Sequence, residues 1–109
     1  MSRPTIQGVI LGAIELFERP ETWCTHAMAR NASGRMVPAD SAEAVKWSAH
    51  GAIYKVAKGT GLATPALEAF KDIVGRPLDE FNNAPNMTRK AVALAMKRVA
   101  RSLEMATQN

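Results

Sequence analysis

The chain has 109 residues, of which 47% are hydrophobic and 22% charged, the composition of one globular domain over residues 1–109 and not of a disordered chain. A single cysteine rules out an internal disulfide, and no run approaches the roughly 18 consecutive apolar residues of a membrane span, so the expectation is a cytoplasmic protein with no membrane partner. A net charge of +4 argues against a protein that imitates nucleic acid with acidic surface.

In chain order, Ile6, Val9, Ile10, Ala13, Ile14 and Phe17 recur at helical spacing and predict a first helix that stops before Pro20. No basic region, apolar core and cleavage site of a secretory signal precede it. Residues 23–37 turn at Asn31–Gly34 and read as a small irregular β-hairpin. Asp40 and Glu43 have the spacing of a capping box, which predicts a helix over residues 41–58. Val45, Ala49, Ala52, Ile53 and Val56 share one side of it, Trp47 and Tyr54 the other, and two apolar faces make it the central helix. Gly59-Thr60-Gly61 ends it, and Thr64-Pro65 opens a shorter helix that Gly75 closes. Residues 77–85 read as a loop with prolines at both ends, and Thr88 caps a last helix reaching about Met105. The fold class is mainly α, about four helices packed round the helix at 41–58, with the hairpin beside them and frayed ends at 1–4 and 106–109.

Charge is unevenly placed. Residues 1–85 carry nine basic and nine acidic side chains, and residues 86–109 carry Arg89, Lys90, Lys97, Arg98 and Arg101 against Glu104 alone. The last helix therefore has an apolar arc of Val92, Ala95, Met96, Val99 and Leu103 and a basic arc interrupted by Leu94 and, near its edge, Met105. A cationic element on a neutral body suits a phosphate backbone, anionic lipid or an acidic protein face, and the plainer reading is a solvated helix face.

The residues for catalysis or metal binding are sparse. Cys24, His26 and His50 could in principle make a thiol nucleophile or a zinc site, but Cys-x-His is not a metal spacing and no fourth ligand is evident. A buried structural cysteine is the expectation, with no catalytic residue, no metal and no cofactor. Glu15/Glu18 and Asp79/Glu80 read as solvated pairs, and no glycine-rich phosphate loop is present. Residues 53–74 have the outline of a helix-turn-helix, yet its second helix would expose Ala66, Glu68, Ala69 and Asp72, poor partners for phosphates and base edges. Asn82 and Asn83 suit backbone capping or an amide pair that reads a ligand.

Four blocks taken together, Trp23–Val37, Ala44–Tyr54, Phe81–Pro85 and Thr88 with the helix after it, carry a pattern W-x(6)-R-x(3)-G-R, W-[CS]-x-x-G-A and [WF]-N-[DN]-A-P. This resembles a small uncharacterised family of phage and actinobacterial genomes, over about residues 5–105. Ser48 stands where that family usually has cysteine, Phe81 replaces tryptophan and Asn83 replaces aspartate. The family has no known activity. The resemblance makes Arg30, His50, Asn82 and Asn83 candidates for a ligand or structural motif, and it implies a phage or mobile-element setting, where small proteins often bind host machinery, including immunity proteins. The expected function is a small non-catalytic interaction protein with a protein partner, homodimerisation left open. The alternative is a nucleic-acid binder using Arg89, Lys90, Lys97, Arg98 and Arg101, with weak non-specific binding expected in any case. The third reading is an enzyme or small-ligand binder of unknown chemistry.

Overall fold

A computed structural model describes residues 4–107, with side chains as far as Glu104. Among these residues are five α-helices and a small three-stranded sheet: α1 (Ile6–Leu16), β1 (Ala29–Arg30), β2 (Met36–Val37), β3 (Lys46–Trp47), α2 (Ala49–Ala57), α3 (Ala63–Val74), α4 (Leu78–Asn82) and α5 (Arg89–Thr107). Of the ends expected to fray, residues 1–3 and 108–109 lie outside the described part, as does the side chain of Met105, and the α5 backbone continues through Ala106 and Thr107.

Helix α1 begins where Thr5 Oγ1 accepts from the Gly8 amide at 2.9 Å and ends at Phe17, which is buried. Its apolar stripe lies between α5 and α2. The Gln7 side chain donates to the Ala100 carbonyl at 3.2 Å near one end, and Arg89 donates to the Glu18 carbonyl at the other. The two helices are therefore antiparallel neighbours. Val9, Ile10, Ala13 and Ile14 of α1 meet Ala52 and Ile53 of α2, Phe70 of α3, Leu78 of α4 and Val92, Met96 and Val99 of α5 in one core.

The helix expected over residues 41–58 is not one helix. Only Ala49–Ala57 is α-helical, and residues 41–47 are turns followed by a strand. The capping-box residues serve other ends: Asp40 pairs with Lys58 at 2.9 Å, and the Ser41 hydroxyl accepts from the Glu43 amide. Strand pairing then decides the conformation of residues 45–47. The Val45 amide donates to the Arg30 carbonyl, and β3 pairs antiparallel with β1, Ala29 opposite Trp47 and Arg30 opposite Lys46. The true N-cap is Ser48, whose Oγ accepts from the Gly51 amide at 3.0 Å.

The hairpin at 23–37 is present as β1 and β2, and β3 adds to its other side in the order β2-β1-β3. Trp23 closes that edge through a parallel bridge to Trp47. In place of the loop at 77–85 stands α4, one short turn that buries Leu78 and Asn82. Helix α3 starts at Ala63, so Thr64 and Pro65 sit inside its first turn, and Gly75 ends it with φ of 91°, its amide donating to the Lys71 carbonyl. Thr88 caps α5, accepting from the Ala91 amide at 3.1 Å.

Trp47 thus extends from a strand and not from the central helix, and Tyr54, expected in the core, is 39% exposed. The Trp47 indole is half-buried against the core and donates to the Ala39 carbonyl at 3.0 Å. Truncating it leaves that carbonyl unpaired and opens the sheet–helix seam, so Trp47→Ala should cost about 2–4 kcal/mol, near the low end for a large aromatic because the ring is only half-buried. A urea unfolding midpoint equal to that of the parent protein would show that the seam closes without the ring.

Candidate functional site

The outward side of α5 gathers four of the five basic residues. Lys90, Lys97, Arg98 and Arg101 are all exposed, and Leu94 lies among them at 63% exposure. Arg89 is separate: half-buried, it turns back to the end of α1 and donates to the Glu18 carbonyl. Between α1 and α5 runs a groove of about 500 Å³, floored by Ile14 and Ala93 and walled by Glu18, Lys90, Leu94 and Lys97. The α1 side of this surface was missed in the sequence. Leu11 is 45% exposed, Gly8, Leu11 and Glu15 form an outward stripe at helical spacing, and the exposed Glu18 follows just past the helix end. The available signal was a leucine lying off the apolar stripe of its own helix.

The remaining candidates separate. Asn82 is completely buried, and its amide is fully engaged. Its Oδ1 accepts from the Trp23 indole at 2.9 Å and from the Ala49 amide at 3.1 Å, and its Nδ2 donates to the Cys24 carbonyl at 3.2 Å and to Asn83 Oδ1 at 3.1 Å. Asn83 Oδ1 also accepts from the His26 amide at 2.8 Å, holding that residue at φ of 60°. Both asparagines therefore tie residues 23–26 to α2 and α4, and no amide group of Asn82 is left to read a ligand. Only acceptor capacity is used at Asn83 Oδ1, so an aspartate would serve there as well.

Arg30 donates to the carbonyls of Gly34, at 2.9 Å, and Thr25, at 3.2 Å, and so clamps the hairpin turn. Cys24 is buried, which pushes its thiol above the ordinary range, and the charges of Arg30 and Lys46 pull only partly the other way. A thiol so placed is a poor nucleophile. Among the described residues, no three His, Cys, Asp or Glu side chains come together as a metal-ligand set. Of the second helix in the helix-turn-helix outline, Ala66 is buried where exposure was expected, and Glu68 and Asp72 are exposed.

His50 stands apart from Asn82 and Arg30. It lines a shallow groove of about 240 Å³ with Thr64, Leu67, Glu68, Lys71 and Asp79, and stacks edge-on against Tyr54 with ring centroids 5.0 Å apart. Burial lowers its pKa, and the nearby Asp79 carboxylate offsets part of that fall. A histidine depressed in the folded state binds fewer protons there than in the unfolded chain. Its contribution is therefore complete above the ordinary value of about 6.5 and is lost as pH falls through the folded value. Stability should decline from pH 7 towards pH 5, and His50→Gln should flatten that slope in paired thermal melts. An unchanged slope in the variant would assign the decline to other groups.

These features define a small, mainly helical protein in which Asn82, Asn83 and Arg30 serve the fold and four exposed cations gather on the outward face of α5. The chain belongs to the family of unknown function DUF6197, whose model matches residues 1–102. Neither a curated protein nor a solved structure matches it. Among the described residues, no helix is long and apolar enough to cross a membrane.

Proposed function

We propose that this chain is a small non-catalytic interaction protein that binds a protein partner through the outward face of α5. The observation that carries this reading is Leu94, 63% exposed at the middle of a face formed by Lys90, Lys97, Arg98 and Arg101. Apolar anchors ringed by charge suit protein interfaces, where desolvation of the anchor supplies affinity and the charges supply orientation. The resemblance to a phage-associated family supports a host protein, met in the cytoplasm, as the partner, and an inhibitor of bacterial immunity is the sharpest form of that reading. The engaged amide of Asn82 and the buried thiol of Cys24 favour binding over catalysis.

The second reading is nucleic-acid binding, favoured by the four exposed cations on one helix face. A backbone-tracking face gains little from Leu94 and is opposed by Glu15 on the neighbouring helix and Glu18 just past its end. Binding to DNA or RNA should therefore be weak and independent of sequence at physiological salt. In a fluorescence anisotropy titration at two salt concentrations, affinity should fall steeply with salt. Changing Lys97, Arg98 and Arg101 together to alanine should remove most of it and lower the salt slope by about 3. Sub-micromolar affinity that discriminates between sequences would overturn the protein-partner reading.

A further inference from the structure

Resting on the reading of α5 as an interaction face, we infer that this face takes a second copy of the chain, laid α1 against α5 in a two-fold dimer. Each of these adjacent helices presents one exposed leucine within a stripe of a single charge sign. On α1, Leu11 stands with Glu15, and Glu18 follows two residues past the helix end; on α5, Leu94 stands with Lys90, Lys97 and Arg101. Among the described residues, no ion pair uses Glu15, Glu18, Lys90 or Lys97. An acidic stripe and a basic stripe therefore run side by side, each with an uncovered leucine.

The register of the two helices decides what such a surface fits. Gln7 lies level with Ala100, and Glu18 with Arg89. A two-fold axis parallel to the helices places α1 of one copy over α5 of the other at that same level. Glu15 and Glu18 then face Lys90 of the second copy, and Leu11 falls between its Leu94 and Lys97. Every such contact occurs twice, all four exposed leucines are covered, and the result is an antiparallel four-helix layer. Other occupants match only half of the surface. A nucleic acid or an acidic peptide would suit α5 and be repelled by Glu15 and Glu18, whereas a second copy presents the same two stripes in reversed order.

The test is sedimentation equilibrium of the full chain over a range of concentrations. The mass should rise from that of one chain, 11.8 kDa, to twice that value, and Leu94→Glu should hold it at one chain with an unchanged circular dichroism spectrum. Charge exchange supplies the control for altered folding. Glu15→Lys with Glu18→Lys makes both stripes basic, and Lys90→Glu with Lys97→Glu reverses the two α5 charges that line the groove beside α1, leaving Arg98 and Arg101 basic. Each double variant should be monomeric alone, and an equimolar mixture should form a one-to-one heterodimer. A wild-type chain that stays monomeric at every concentration, or double variants that do not associate when mixed, would overturn the dimer. Those outcomes leave the protein-partner reading standing, because it fails on the separate result of sequence-selective nucleic-acid binding.

Discussion

Replacing Asn82 by alanine should cost about 4 kcal/mol, a loss large enough to be diagnostic of a broken polar network. The amide joins four groups that no other side chain reaches: the Trp23 indole, the Ala49 amide, the Cys24 carbonyl and Asn83 Oδ1. The Ala49 amide is one of the donors that the start of a helix leaves unpaired, so Asn82 completes the α2 cap that Ser48 begins. Truncation strands an indole N–H, a backbone N–H and a carbonyl in a site closed to solvent, each costing about 1–3 kcal/mol before relaxation. Asn82→Asp should be worse still, because it puts a carboxylate oxygen against the Cys24 carbonyl and Asn83 Oδ1 where a donor stood. Urea unfolding measures both variants, and a loss for Asn82→Ala under about 1 kcal/mol would mean that water enters and replaces the amide.

The parts of this fold that a single sequence reveals are those decided within one helix. The α1 stripe, its stop before Pro20, the Gly75 cap and the Thr88 cap all rest on neighbours a few residues apart, and all are present. Residues 41–47 fail that condition. Their helical spacing is real, but Val45, Lys46 and Trp47 are claimed by backbone hydrogen bonds to Arg30 and by pairing with β1, fifteen or more residues earlier in the chain. Strand pairing with a distant hairpin overrides a local pattern whenever the pattern's own cap is weak, and here the Asp40 carboxylate is held by Lys58 instead. Helix α4 was hidden for a different reason: five residues are too few to show a period.

The candidate site divides along the same line. The basic arc of α5 and its leucine were legible because a lone amphipathic helix states its own outward face. Its completion by Leu11, Glu15 and Glu18 was not, since only the packing of α1 on α5 brings the two stripes side by side. Asn82 and Asn83 were legible as capping residues but not as a hub, because their partners Trp23, Cys24 and His26 lie 57 to 59 residues away. Arg30 likewise is a candidate for a ligand or a structural motif alike until the turn it clamps is seen.

Gly51→Ala should abolish cooperative folding, although alanine is the better helix former by about 1 kcal/mol. A Cβ at Gly51 would lie 1.8 Å from the Met28 carbonyl oxygen and 2.6 Å from its carbon. That carbonyl cannot give way cheaply, since it accepts from the Ser48 amide at 3.1 Å and from the Ser48 hydroxyl at 3.4 Å. The added methyl must therefore push α2 off the residues leading into β1, and the Ser48 cap and the Asn82 bond to Ala49 move with it. The expected loss is more than about 4 kcal/mol, most of the stability of a domain this size. Gly12→Ala separates this close approach from any general effect of filling a helical glycine. The nearest atom to its Cβ is Val56 Cγ1 at 3.0 Å, a side chain that can shift, with no backbone atom among the nearest contacts. Propensity and crowding then nearly cancel, within about 1 kcal/mol. Thermal unfolding followed by circular dichroism reads both variants, and a Gly51→Ala chain that melts cooperatively near the parent temperature would show that α2 can stand away from residue 28.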